Sequence, residues 1–243
     1  MLACLTEFDA AFDHALVYSR EKIVVIEQEI VRSSYQIAGD GFLVDGQLVF
    51  RCWADEHFDK LCNGLVPIGQ TFPTHQPNKL LSVAHQETQR LVSALGMKSG
   101  ALNFDLIFDE LGDFYFLELG PRNGGCLIPE VICYATGVDL IKYTVDAALG
   151  LSCDDLRMKP TDGYWSSYMV HSLGDGVFKG IWLSDRIKSK IVEDNIWVQL
   201  GDPVKKYLGS NDTLGSMILK FESLDEMNNM IENMEEDIRV IYS

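Results

Sequence analysis

Apolar residues recur at helical spacing near the start of the chain, where Phe8, Ala11, Phe12, Ala15 and Leu16 follow Thr6, a residue type suited to an N-cap. This spacing predicts a helix over residues 6–19. Residues 22–30 are rich in β-branched side chains, and two alternating runs within residues 37–51 flank Asp45-Gly46, a hairpin turn pair. These segments read as strands of an antiparallel sheet. Residues 63–78 carry Gly64, Pro67, Gly69, Pro73 and Pro77, and predict a long irregular loop of the kind that lines sites. Leu80, Leu81, Ala84, Leu91, Val92 and Leu95 then mark a helix closed by Gly96, and another helix is expected over residues 139–149, ahead of Gly150.

Beyond Gly150 the pattern shifts to short strands with turns at Gly174-Asp175-Gly176 and Gly201-Asp202-Pro203, which predicts a smaller sheet-rich unit. It ends in a helix opened by the capping box Ser223-Leu224-Asp225-Glu226, with Leu224, Met227, Ile231, Met234 and Ile238 on one face. The methionines of that stripe read as core, and the acidic face of Glu232, Glu235, Glu236 and Asp237 reads as solvated surface. No internal repeat or low-complexity linker interrupts the chain.

Composition narrows the classes of function. With 243 residues, 47% of them hydrophobic, the chain can fill a sizeable core. Its 20 basic and 36 acidic residues leave a net charge of −16, a field that repels a phosphate backbone and argues against nucleic acid as a partner. An anionic nucleotide would need local cations, a metal ion or backbone amides to offset that background. Cys4, Cys52, Cys62, Cys126, Cys133 and Cys153 form no C-x-x-C pair and read as reduced, mostly buried thiols. Apolar stretches fall short of the ~20 residues of a membrane span, and no basic-then-apolar leader opens the sequence. A cytoplasmic protein without a membrane partner is the expectation.

The stretch from Ala101 to Gly125 carries the most chemistry. Two apolar strands flank the turn Glu110-Leu111-Gly112-Asp113. Pairing Asp109 with Phe114 across that turn sets Asp105 opposite Glu118 and Asn103 opposite Gly120, with facing Cβ atoms about 5 Å apart. The neighbours Leu106, Ile107, Phe108, Tyr115, Phe116 and Leu117 are apolar, so the pair is expected in a sheet buried on both faces. Like charges held there call for a cation between them or a retained proton, and a hard divalent ion such as magnesium meets that need. The competing reading is an exposed hairpin end with both acids in water.

Leu117-Glu118-Leu119-Gly120-Pro121-Arg122-Asn123-Gly124-Gly125 resembles the E-x-N-x-R-x-x-G signature of the ATP-grasp ligases. Asp105 upstream and the hinge Val25-Ile26-Glu27-Gln28-Glu29-Ile30 stand in the expected order. The likeness runs from about Phe8 to Gly150 and is strongest to the carbamoyl-phosphate-synthase-like and amino-acid-ligase branch. It implies an α+β fold in three parts: residues 1–30 as a remnant of the lid subdomain and hinge, residues 31–150 as the catalytic subdomain with an antiparallel sheet flanked by helices, and residues 151–243 as a smaller C-terminal α+β domain. It also implies an ATP- and magnesium-dependent ligase, with manganese able to stand in. Such an enzyme joins a small-molecule carboxylate to an amine-type nucleophile through an acyl phosphate.

By the same resemblance, Asp105 and Glu118 match the metal-binding acids and Arg122 the arginine that orients the phosphates. Glu27, Gln28, Glu29 and Ile30 match the adenine site, where the Gln28 carbonyl and the Ile30 amide pair with the base, and Ile107 matches its apolar floor. Gln36 falls near the ribose-contacting position; a strand residue facing solvent is the alternative.

Two departures stand out. Gly120 replaces the metal-binding Asn, and either Asn103 from across the hairpin or Asn123, just after Arg122, is the candidate to supply the missing oxygen. No glycine-rich G-x-x-x-x-G-K loop occurs, and the lysines and phosphate-covering loop that the family places earlier lack counterparts. The chain is therefore expected to be the C-terminal portion of a ligase, with the lid on a separate chain or an upstream segment. A homodimer remains open, as does a non-catalytic module that binds nucleotide or a partner. Arg51 lies where the family builds its substrate pocket, against a surface or ion-pair role. His14, His57, His75, His85 and His171 show no metal-ligand spacing with cysteines or acids.

Overall fold

A computed structural model describes residues 5–243, which divide into two compact units on either side of the Arg32–Ser33 boundary. Cys4 lies outside the described residues. In the first unit α1 spans Phe8–Tyr18. Its half-buried positions are Phe8, Ala11, Phe12, Ala15 and Leu16, the apolar stripe read from the sequence. Thr6 does not cap it; a 3-10 turn over Leu5–Glu7 leads in, and Glu7 takes the N-cap position. Residues 23–30 hold no strand and are largely exposed, with Val25 at 76%. Their β-branched content favours extended backbone, but a strand also needs a ladder partner.

The second unit is built on one antiparallel sheet. Strands β1 (Gln36–Val44), β2 (Gln47–Phe58) and β3 (Pro67–Phe72) precede α2 (Asn78–Ala94). Then come β4 (Gly100–Phe108), β5 (Phe114–Gly120), α3 (Ile128–Thr136) and α4 (Leu140–Ala148). The remaining elements are β6 (Tyr164–Val170), β7 (Gly176–Leu183), α5 (Asp185–Lys188), β8 (Ile191–Ile196), β9 (Pro203–Val204), β10 (Gly215–Phe221), α6 (Leu224–Glu232) and β11 (Ile238–Tyr242). Eight strands form the main sheet in the order β5-β4-β1-β2-β3-β6-β10-β8, and β11-β7-β9 form a small second one. No helix among the described residues is long and apolar enough to cross a membrane.

The β1–β2 turn has Asp45 at φ 48° and Gly46 at φ 80°, the pair of left-handed residues that suits a two-residue hairpin. The loop expected at residues 63–78 instead contains β3, which pairs with β2 on one side and β6 on the other. Pro67 stands at its first residue, where a missing N–H is tolerated. That pairing carries the sheet past residue 150, so the expected break there falls inside one continuous sheet.

Helices α2 and α6 cover one face and α3 and α4 the other. Ala84 and Val92 of α2 pack with Leu43, Trp53, Leu102 and Phe104. Ile128, Val131, Ile132 and Leu140 pack with Phe42, Phe50, Phe72 and Trp165 on the opposite face. Met227, Met230, Ile231 and Met234 are buried against Tyr168, Met217 and Leu219, as the core reading of the methionines requires. The last helix ends at Glu232, however; Met234 sits in a 3-10 turn and Ile238 begins β11. Asp237 is not solvated surface: its side chain is fully buried and accepts from Ser184 Oγ and from Arg186 Nε, 2.5 Å away. At the α6 N-terminus Ser223 Oγ accepts from the Glu226 amide at 3.1 Å, while Glu226 reaches back to the Glu222 amide at 2.7 Å.

Candidate functional site

Side chains on a strand alternate between faces, so the register decides which of them meet. On β4, Leu102, Phe104, Leu106 and Phe108 point into the α2 core, which leaves Ala101, Asn103, Asp105 and Ile107 on the other face. Across the hairpin Asp105 is opposite Glu118 and Asn103 opposite Gly120, as the sequence predicts. The turn end differs: Phe108, not Asp109, pairs with Phe114, and a register shift between Asp105 and Leu106 absorbs the extra residue. The sheet is not buried on both faces here. Strand β5 is an edge, the Leu117 residue is 53% exposed and the Glu118 side chain 63%.

Asp105 is the enclosed member of the pair. Burial first, and then the neighbouring Glu118 charge, push its carboxyl up to about 6, against opposing help from Gln36 and Arg122. At about 5 Å the repulsion amounts to ~1 kcal/mol in water and ~3 kcal/mol at an effective dielectric of about 20. Arg122 lies beside both strands: Nη1 donates to Asn103 Oδ1 at 2.8 Å and to the Asn123 carbonyl at 3.1 Å, and Nη2 is 3.7 Å from Glu118 Oε1. Its side chain passes over Gly120, where an added Cβ would meet Nε at 3.4 Å. The Asn103 oxygen is thus engaged by Arg122 and joins a cation only if that contact opens. Asn123 Nδ2 donates to Thr144 Oγ1 at 3.0 Å, while its buried Oδ1 has no partner.

Neighbouring strands add residues that sequence reasoning missed. Asp40 of β1 is fully buried, its oxygens accepting from the Gly124 amide at 2.8 and 3.0 Å and from Asn103 Nδ2 at 2.9 Å. Burial dominates these bonds and raises its carboxyl to about 6. Asp40 thereby fastens the segment after β5 to the sheet, and an alanine at Gly124 would put its Cβ 2.9 Å from Asp40 Oδ1. Gln36 hydrogen-bonds both Asp105 and Glu56 Oε2, and Gln70 Nε2 donates to Glu56 Oε1 at 3.4 Å. Asp105, Gln36, Glu56 and Gln70 therefore form a polar row across four adjacent strands. Gln36 does not simply face solvent. Asp40 stands between Gly39 and Gly41 and Glu56 between Asp55 and His57, so no local pattern signals either residue.

Other expected positions fall elsewhere. Ile107 is 5% exposed on the same face as Asp105. Glu27, Gln28 and Glu29 are exposed and Ile30 half-buried, in a stretch of the N-terminal unit without regular structure. Arg51 pairs with Gly41, so alternation puts it on the face opposite Asp40 and Cys52, where its charge acts on His85 of α2. It stands away from the acidic pair because one residue along a strand reverses the face.

No family model matches the sequence. A curated relative, the uncharacterized protein y4rH of Sinorhizobium fredii, is 24% identical over 170 residues, covering 69% of this chain and 35% of that protein. Among solved structures, phosphoribosylglycinamide synthetase from Anaerococcus prevotii superposes with a TM-score of 0.72 at 21% identity, over 99% of this chain and 61% of that one. L-amino acid ligase from Bacillus licheniformis gives 0.76 at 18%, over 89% and 53%. The biotin carboxylase domain of Hydrogenobacter thermophilus 2-oxoglutarate carboxylase, in complex with MgADP, ADP and bicarbonate, gives 0.72 at 13%, over 98% and 52%. The fold is that of the ATP-grasp ligases. The chain spans about a third of the curated relative and between half and two thirds of these solved chains.

Proposed function

We propose that the chain carries the metal- and phosphate-facing part of an ATP- and magnesium-dependent ligase that joins a carboxylate to an amine-type nucleophile. The observation that supports this most is the Asp105–Glu118 pair with Arg122 beside it. The donor set fits a hard divalent ion: two carboxylate side chains on one sheet face, one of them raised to about 6 by burial and by the other's charge. Asp105 and Glu118 would hold magnesium, or manganese, with Asn103 or Asn123 as the amide oxygen, and the ion would neutralise charge on the nucleotide phosphates.

The side chains do the aligning. Arg122 presents its guanidinium to the transferring phosphoryl group, and Asp40 holds the Gly124 segment in place through the amide bonds that fix it. The substrate carboxylate oxygen attacks the γ-phosphorus and ADP leaves. The amine nitrogen then attacks the acyl carbon, phosphate leaves and the nitrogen loses its proton. Ile107, buried on the face that carries Asp105, is the proposed apolar contact of the adenine, and Gln36, hydrogen-bonded to Asp105 and Glu56, is the proposed ribose-side residue.

Gly120 favours a second reading, a module that binds nucleotide without turnover, because it withholds one oxygen ligand. Calorimetric titration with ATP, with and without magnesium, beside an Asp105→Asn, Glu118→Gln double variant tests the site. Magnesium-dependent binding lost in the variant is expected. Equal binding without a divalent ion, or in the variant, would refute it, and phosphate release on adding amino-acid pairs separates ligase from silent module.

A further inference from the structure

Three side chains that the sequence keeps apart meet where the chain leaves β2 and β6. Asp59 and Cys62 stand one turn apart, with the Cys62 amide donating to the Asp59 carbonyl at 3.2 Å and the Leu61 amide to Asp59 Oδ1 at 2.7 Å. That turn presents Asp59 Oδ2 and the Cys62 thiol side by side. His171 follows the end of β6, its side chain only 4% exposed between the rings of Tyr207, 4.9 Å away, and Tyr168, 6.0 Å away. One ligand atom from each of Asp59, Cys62 and His171 lies within 4.8 Å of the other two.

The hydrogen bonding of His171 makes the cluster more than a coincidence of neighbours. Its Nδ1 lies 2.8 Å from the Met169 carbonyl, which only accepts, so Nδ1 carries a proton. In the neutral ring Nε2 then offers a lone pair, and it faces Asp59 Oδ2 at 3.1 Å. Two acceptors at that distance require a positive species between them or a second proton on the ring. An Nδ1–H bonded to a backbone carbonyl is also the arrangement that orients a metal-binding imidazole.

The geometry points to a transition-metal site of the zinc class at Asp59, Cys62 and His171, with three protein ligands and one position left for water or an incoming ligand. A set of one nitrogen, one sulfur and one carboxylate oxygen suits zinc and excludes magnesium, which takes oxygen alone. The site is separate from the acidic pair on β4 and β5 and independent of the reading proposed for it. It would pin residues 59–66 to the second half of the sheet, where Asn63 Nδ2 already donates to the Leu208 carbonyl at 2.9 Å and Tyr207 Oη to the Pro67 carbonyl at 2.6 Å.

Cobalt titration of chelator-treated full-length protein is the test. One equivalent should raise ligand-field bands of a tetrahedral centre and a thiolate-to-cobalt charge-transfer band, both displaced by zinc. Cys62→Ser should abolish the charge-transfer band and weaken zinc binding at least about 100-fold, while Asp105→Asn leaves both unchanged. Cys62 is half-buried, so the serine variant leaves no large cavity, and an unchanged thermal midpoint without metal confirms that it folds. Absence of the charge-transfer band in the wild type, or its survival in Cys62→Ser, would show a plain His171–Asp59 ion pair and overturn the site.

Discussion

Replacing Asp40 by Asn should stabilise the ligand-free protein at neutral pH and leave it nearly unchanged in acid. Asp40 is fully buried, and burial outweighs the Gly124 and Asn103 bonds to lift its carboxyl from 3.8 to about 6. A carboxyl raised in the fold contributes stability that is fully present below the unfolded value and is lost as pH rises through the folded one. The shift of about two pH units corresponds to ~3 kcal/mol between those limits. Protonated Asp and Asn have nearly the same shape, each with one accepting oxygen and one donating group, so the two proteins should be equally stable near the lower limit. Above the folded value only the wild type holds a buried charge, and the variant should lead by up to ~3 kcal/mol. Urea unfolding of both proteins from about pH 4 to about pH 8 measures the difference directly. A difference that does not vary with pH, or a variant that is the less stable one at neutral pH, would refute the assignment of the penalty to Asp40. Stability withheld at a residue that fastens the Gly124 segment is the trade expected of a functional site.

His57 should act in the opposite sense: burial and then His75 press its pKa down to about 4, so its stabilisation is complete above about pH 6.5 and falls by ~3 kcal/mol as acid approaches the folded value. His57→Gln should flatten the acid limb of the urea-midpoint profile, and an unaltered limb would remove His57 as its source. Gly69→Ala places a Cβ 2.4 Å from the Ser167 carbonyl at the β3–β6 seam and should cost on the order of 2–3 kcal/mol in urea unfolding; an unchanged midpoint would show that the two strands do not approach so closely.

The sequence carried those elements whose signal is local. The helix from Asn78 to Ala94, the Asp45-Gly46 hairpin and the Ser223 cap depend on residues within a few positions of one another, and they stand where the pattern puts them. Elements fixed by distant partners were not legible. Six residues of β3 hide among five breakers because that strand exists only by pairing with β2 and β6. Residues 22–30 have strand composition and no ladder. Helix α3 begins after two left-handed residues, Cys126 at φ 53° and Leu127 at φ 64°, and its Pro, Cys and β-branched content gives no helical propensity to read.

The acidic pair was legible through two offsets that cancel. Counting from the turn put Asp109 opposite Phe114, one residue away from the observed pairing of Phe108 with Phe114. Carried along the hairpin without interruption, the observed turn would place Asp105 opposite Leu117 and separate the acids. The register shift between Asp105 and Leu106 turns Leu117 outward and brings Glu118 into line instead. An irregularity of this kind adds an unpaired residue and bends the strand, and it is found where a side chain must be re-aimed. The juxtaposition of Asp105 with Glu118 therefore depends on a local departure from the ladder that no spacing rule reports. Asp40, Glu56 and Gln70 could not be found from spacing at all, because the Asp40–Asn103 contact and the polar row that Glu56 and Gln70 complete both run across the strands, and only the order β4-β1-β2-β3 brings these residues together.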